Sequence, residues 1–261
     1  MKIQETVIPI TQRRAVPIIT YHSIDRSGSV VSTTPEVFRK QITKLSEAGY
    51  SSITVERFTD AISCGQWPTE KTVILTFDDG FENFMTDAAP MLEEHSFTAT
   101  VYLVTDQCGR FNDWAGNPRE LPRSPLLSWQ QVRELSARGF EFGSHTVTHP
   151  DLTTIAPNTR DAELWRSKAA IEEAIGKEVK SFAYPFGRST GAIQRSVEKI
   201  YCSATSTNLA KVTSRSDMYS LERIDAYYLS NPRSLERLET HWMDTYLAIR
   251  QALRTVKAAV A

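Results

Sequence analysis

The segment Thr72–Phe77, Thr-Val-Ile-Leu-Thr-Phe, is a near-continuous apolar and β-branched run that stops abruptly at Asp78-Asp79-Gly80. A strand of that composition has no polar face to turn to water, so it belongs in a parallel sheet covered on both sides. Parallel neighbours need crossover connections, and the rest of the chain alternates strand-like and helix-period segments that supply them. Val16–Tyr21 reads as a buried strand, and Thr34 as the cap of a helix with Pro35 in its first turn, running through Phe38, Ile42 and Leu45 to a stop at Gly49. Ser52–Val55 reads as a short strand, Asp87–His95 as a helix and Thr98–Val104 as a strand. The Ser128-x-x-Gln131 spacing is a capping box for a helix that ends at Gly139, with a strand at Phe140–Phe142 behind it. Asn158 is positioned to cap a helix carrying Ala162, Trp165, Ala169 and Ile175 and closed by Gly176, followed by a strand at Val179–Ala183. A helix near Gly191–Ile200, strands near Tyr201–Ala204 and Leu221–Ala226, and helix from Pro232 onward complete the pattern, the last with Leu235, Leu238, Trp242, Ile249 and Leu253 on one stripe.

Only residues 105–127, rich in Gly, Pro, Asn and Arg and without a period, interrupt the alternation, and they read as an inserted loop. There is no internal repeat. The expectation is one α/β domain over residues 1–261, an open sheet or a barrel, with a core over about 16–230 and a C-terminal helix over about 232–261. With 30 Lys+Arg against 31 Asp+Glu, the chain offers no basic footprint for nucleic acid or an anionic membrane. Cys64, Cys108 and Cys202 are widely spaced with no C-x-x-C, so they read as free thiols rather than a disulfide framework or a thiolate zinc site. No apolar stretch reaches the roughly 18 residues a transmembrane helix needs, and the N-terminal segment lacks an apolar leader core, from which a cytoplasmic location is expected. Nothing in the sequence bears on oligomeric state.

The polar clusters fall at the C-terminal ends of the read strands: Tyr21-His22-Ser23, Asp78-Asp79, His145–His149 and Tyr184-Pro185-Phe186-Gly187. In parallel β/α architectures the loops converge at that face, and sites are built there. Adjacent Asp residues leaving a strand point in different directions, so one can bind a metal while its neighbour faces substrate. His145 and His149, four residues apart, could share one side of a helical turn. Two His and one Asp suit a divalent transition metal, Zn²⁺ first and Co²⁺ as an alternative, with positions left for water and a substrate oxygen. Taken singly, an Asp-Asp pair is more often a solvated turn, and an H-x-x-x-H spacing is more often not a ligand pair; their coincidence at one face raises the odds.

Thr76-Phe-Asp-Asp-Gly80, His145-Thr-Val-Thr-His-Pro-Asp-Leu152 and Phe182-Ala-Tyr-Pro-Phe-Gly187, in that order, resemble the first three motifs of the NodB-type polysaccharide deacetylases, carbohydrate esterase family four. The resemblance spans roughly Val16 to Ala226, and Tyr21-His22-Ser23-Ile24, ahead of the acidic motif, resembles the circularly permuted branch of that family. It implies the NodB-homology fold, a distorted (β/α) barrel of seven or eight strands. It implies a metal held by Asp79, His145 and His149, with Asp78 as general base and His22 as the acid that protonates the leaving amine. The oxyanion would be stabilised by the metal and by the backbone N–H of Phe186, in a substrate-binding segment that includes Tyr184 and Pro185. Where the family's commonest third motif carries an Arg, this chain has Ala183, so the Arg that orients the base must come from elsewhere; Arg223 is the first candidate and Arg188 the second. The family's late histidine motif is missing, and His241, among charged residues of a helix, reads as a surface residue.

Trp114 and Phe111 in the inserted loop could stack on a sugar or simply pack locally. Trp129 and Trp165 read as core, His95 as a cation at a helix C-terminus, and Thr146 and Asp151 as supports for the histidines. The implied activity is metal-dependent removal of N-acetyl groups from an N-acetylglucosamine-containing poly- or oligosaccharide, the N-acetylated carbohydrate being the expected partner. The same chemistry on a small or cyclic amide, a ureide or formamide, is the alternative, and an inactive carbohydrate-binding domain is a third.

Overall fold

In the computed structural model, which describes residues 15–68, 70–117 and 120–260, eight strands form one sheet whose every pairing is parallel. The leader-free N-terminus expected from the sequence lies outside the described residues. Chain order runs β1 (Ile18–Tyr21), the short pair β2 (Ser23–Ile24) and β3 (Ser32–Thr33), α1 (Pro35–Glu47), β4 (Ser51–Ile53), α2 (Val55–Ser63) and β5 (Thr72–Phe77). Next come α3 (Ala89–Glu94), β6 (Thr100–Leu103), α4 (Trp129–Ala137), β7 (Glu141–Ser144), α5 (Pro157–Ile175), β8 (Ser181–Ala183) and α6 (Gly191–Glu198). The chain finishes with β9 (Ser203–Thr205), β10 (Ile224–Asp225), α7 (Pro232–Glu236) and α8 (His241–Val260).

Across the sheet the order is β10-β1-β5-β6-β7-β8-β9, with β4 beside the first half of β5. All six residues of β5 are buried, as its composition requires. The edge strands β9 and β10 do not pair directly. The segment between them closes the gap: Leu221 bridges Thr205, its N–H donates to Ala204 O (2.9 Å), and Arg223 N–H donates to Asn208 O (2.9 Å). The result is the distorted barrel expected, seven strands on a curled path with an irregular closing seam.

Helix ends follow the caps the sequence supplies. Thr34 accepts from Val37 N–H with Pro35 in the first turn, and the Ser128–Gln131 capping box is formed in both directions. Five expectations need correction. Val55 is not the end of a strand but the first residue of α2, a helix the sequence reading did not foresee; Thr54 caps it, and Val55 and Phe58 are fully buried. Asn158 is not a cap: Ala156 holds that position and Pro157, pre-set in φ, opens α5. Trp165 is 54% exposed, because α5 buries Leu164, Ser167, Lys168 and Ile171, a face one residue out of phase with it; Trp129 is half-buried. On α8 the buried positions are Met243 and Leu247, so Trp242, Ile249 and Leu253 face outward. The helix leading to His95 starts earlier than Asp87, through a π-helical turn at Phe84–Ala88. The described residues of 105–127 are irregular apart from a 3₁₀ turn at Thr105–Gln107, as expected of an insertion. No helix among the described residues is long and apolar enough to cross a membrane.

One packing detail positions the strands that carry the histidines. Gly143 in β7 lies where a Cβ would come within 2.5 Å of the Tyr102 ring and 2.6 Å of Ser181 Oγ, so β6, β7 and β8 approach there at glycine distance. Tyr102 is fully buried and has no room to yield. Gly143→Ala is therefore expected to cost about 1–3 kcal/mol of stability through overpacking, read as a lower urea midpoint at unchanged m-value.

Candidate functional site

The ends of β1, β5, β7 and β8 deliver His22, Asp78-Asp79, His145 and Tyr184 to one face, and the closing seam before β10 delivers Arg223. Asp78 is 4% exposed and Arg223 2%. They form a bidentate pair: Arg223 Nη1 donates to Asp78 Oδ1 at 2.7 Å and Nη2 to Oδ2 at 2.8 Å. The guanidinium's other donors are also used, Nε on Ser206 O (2.8 Å) and Nη1 on Thr76 Oγ1 (3.3 Å). Burial alone would raise the Asp78 carboxyl; the charge and hydrogen bonds of Arg223, helped by His145 and His22, override it and hold Asp78 well below the usual carboxylate range. Arg188 lines the cleft, 65% exposed in its side chain, and is paired with Asp151 at 2.6 Å instead of with Asp78.

Asp79, His145 and His149 each offer one ligand atom, all within 4.8 Å of one another, and all three residues are buried. Asp79 Oδ1 lies 3.5 Å from His145 Nε2 and 3.6 Å from His149 Nε2, and the two Nε2 atoms lie 3.2 Å apart. His145 Nδ1 is 2.8 Å from Ala183 O, which can only accept, so Nδ1 carries the proton and Nε2 presents its lone pair to the cluster. Two imidazole nitrogens and a carboxylate oxygen converging without a cation among the protein's own side chains fit a divalent metal. Burial pushes Asp79 up, and burial with the neighbouring His145 pushes His149 well below its ordinary value, keeping that imidazole neutral.

The histidines do not converge on a helical turn, as their spacing suggested. Thr146 (φ 71°) and His149 (φ 59°) both adopt the left-handed region, and the loop folds back on itself with His149 N–H donating to Thr146 Oγ1 at 3.0 Å. Asp79 (φ 71°) and Phe186 (φ 57°) share that conformation. Among the described residues only Ser96 is a further non-glycine residue with positive φ, so the sparsely populated backbone is concentrated at this site.

His22 Nε2 stands 3.9 Å from Asp78 Oδ2, with 27% of its side chain exposed to the cleft. The cleft, about 710 Å³, is lined in part by His22, Val31, Trp114, Tyr184 and Phe186. Trp114 is only 7% exposed; its ring centroid lies 4.8 Å from that of His149, and Phe186 covers the same imidazole at 4.6 Å. Phe111 does not line this cleft and is covered by Arg123. Tyr184 lends its ring to the wall while its hydroxyl donates to Tyr219 O (2.9 Å); Pro185 is buried beneath, and Phe186, 40% exposed, forms the lip. His241 projects into solvent on α8, and His95 meets Thr43 at 3.4 Å. Ser206, Val30 and Val31 carry no motif, and the motif that contains Thr76 says nothing of its contact with Arg223, so these partners and rim residues were not legible in the sequence.

The Asp78–Arg223 pair yields a pH-dependent expectation. A folded-state carboxyl held low stabilises the protein above the unfolded-state value, near 3.9, and that stabilisation is lost as pH falls toward the folded value. Arg223→Met leaves a buried, uncompensated carboxylate, so it should cost about 3–5 kcal/mol at neutral pH. The difference from the parent should begin to narrow above pH 4, where burial without Arg223 pushes the variant's Asp78 up and protonates it, and should narrow further below 4 as the parent loses its own advantage; denaturant titrations at several pH values check this.

The family model described as "Polysaccharide deacetylase" matches residues 65–203. The protein YxkH of Bacillus subtilis (strain 168) is 26% identical over 210 residues, covering 80% of this chain and 70% of its own length. The poly-beta-1,6-N-acetyl-D-glucosamine N-deacetylase of Escherichia coli (strain K12) is 28% identical over 141 residues, 49% of this chain but 20% of that protein. Among solved structures, the Streptococcus pyogenes deacetylase PplD in complex with acetate superposes with a TM-score of 0.72 at 26% identity, covering 82% of this chain and 92% of that one.

Proposed function

The chain belongs to the polysaccharide deacetylase family, and from that premise we propose that it is a metal-dependent hydrolase that removes N-acetyl groups from an N-acetylglucosamine-containing poly- or oligosaccharide. The observation that carries the reading is the juxtaposition, at one strand-end face, of the Arg223-clamped Asp78, the Asp79–His145–His149 cluster and His22. Relatives and neighbours support it: one is a poly-N-acetylglucosamine N-deacetylase, and another is a deacetylase solved with acetate, the acid such a reaction releases.

A divalent cation held by Asp79, His145 and His149, Zn²⁺ or Co²⁺, would polarise the N-acetyl carbonyl and acidify the attacking water. Asp78 accepts the proton of that water. Its depressed pKa makes it a weak base that is nevertheless ionised at every working pH, so it suits a water that is already acidified. Arg223 keeps both Asp78 oxygens in one orientation throughout. The Phe186 N–H is assigned to the developing oxyanion, with the Phe186 backbone in the conformation that forms the lip. His22 donates a proton to the departing nitrogen as the C–N bond breaks, so amide and water become acetate and a free amine. The histidine-first order of this assignment corresponds to the permuted branch of the family.

The cleft favours an extended substrate over a small amide. Val30, 88% exposed, and Arg188, 65% exposed in its side chain, both line it, so its wall reaches out into solvent. With protein stripped of metal and reloaded with Zn²⁺ or Co²⁺, acetate release from N-acetylglucosamine oligomers is expected, and no formate from a formamide and no ring-opened acid from a cyclic ureide. Release from the small amides alone would move the assignment to them, and silence on all substrates with metal bound would sink the hydrolase reading. Asp78→Asn is expected to retain metal and lose at least about 10²-fold in turnover, measured as acetate formed per metal-loaded protein.

A further inference from the structure

The loop that carries both histidines is held from outside by a residue with no motif. Between Thr146 and His149, both left-handed, Val147 and Thr148 turn successive backbone N–H groups toward α5. Glu163 receives both: Val147 N–H donates to Oε2 at 2.8 Å and Thr148 N–H to the same oxygen at 2.9 Å, while Thr148 Oγ1 donates to Oε1 at 2.8 Å. Three donors meet the two oxygens of one carboxylate. The opposite side of the loop is tied to the chain after β6, Thr105 N–H to Thr146 O (3.2 Å) and Asp106 N–H to Val147 O (3.0 Å). Glu163 itself stands on a fixed base, since the next residue, Leu164, is fully buried and Ser144 Oγ donates to Ser167 Oγ one turn further along α5 (2.8 Å).

We propose that Glu163 is a positioning residue for the cation site: by clamping the backbone between the two histidines it fixes the approach of His145 Nε2 and His149 Nε2 and so sets the affinity for the divalent ion. The inference rests on reading Asp79, His145 and His149 as a cation site. Both backbone N–H groups share one carboxylate oxygen, and Thr148 Oγ1 can accept as well as donate, so Gln can keep all three contacts but without the charge that strengthens them, whereas Ala removes them all. Residues that hold metal ligands in place change affinity by about 10–100-fold when removed.

The test uses the whole protein with Glu163→Ala and Glu163→Gln beside the parent, each stripped of metal. Zn²⁺ is titrated in competition with a chromophoric chelator, the visible absorption of the Co²⁺ form is recorded, and the thermal midpoint of the metal-free protein is measured. The expected result is a Kd for Zn²⁺ weakened about 10–100-fold in Glu163→Ala, with Glu163→Gln between it and the parent, and a shifted or weakened Co²⁺ band in both. A merely structural role would lower the metal-free midpoint and leave the Kd and the Co²⁺ band of the folded protein where they were; that result overturns the inference. Should Glu163→Ala not fold, Glu163→Met, which keeps the stem and removes all three acceptors, takes its place, and a parental Kd in it overturns the inference equally. A parent that binds no Zn²⁺ defeats the cation reading itself, a failure visible before any variant is compared.

Discussion

The buried pair Asp78–Arg223 is the contact around which the rest of the site is arranged. It joins the end of β5 to the seam before β10, 145 residues later in the chain, at the place where the sheet fails to close by regular strand pairing. Two opposite charges taken out of water are costly unless their remaining hydrogen-bonding capacity is met, and here Ser206 O and Thr76 Oγ1 meet it. The pair therefore holds the barrel's seam and orients Asp78, the proposed base, with the same atoms. It also fixes which way Asp79 must turn: with Asp78 committed to Arg223, the left-handed backbone at Asp79 carries the second carboxylate away toward the histidines.

Much of this was legible in the sequence, for a definite reason. A strand buried on both faces is recognisable from composition alone, and where it stops the chain must turn polar, so Asp78, Asp79, His145 and Tyr184 could be placed at strand ends before any coordinates. Arg223 was reachable only as one of two candidates, because nothing local links positions 145 residues apart; burial then separates it from the exposed Arg188. Glu163 was out of reach, since its three hydrogen bonds depend on how α5 packs on the loop after β7. The missed elements have equally plain causes. Thr54-Val55 satisfies both a strand and a helix start, and the apolar residues of α5 and α8 did not declare which face would pack, so Trp165 and the outward row on α8 were assigned to the wrong side.

The site divides two neighbouring carboxylates by environment alone. Arg223 neutralises Asp78 and occupies both its oxygens, which removes it from competition for a cation and leaves it as a proton acceptor. Asp79 has no such partner; burial works against its charge, and the compensation must come from something positive placed among Asp79, His145 and His149. The rings of Trp114 and Phe186 press on His149 from two sides and exclude water from it, which favours its neutral form, the form with a lone pair to give. One carboxylate charge and two neutral imidazoles would leave a divalent ion there with net positive charge, available under the proposed function to polarise a carbonyl. Were Asp78 also free to ligate, such an ion would be nearer to neutral and the proposed base would be lost. The arginine thus makes the difference between a site that could only store a cation and one that could use it.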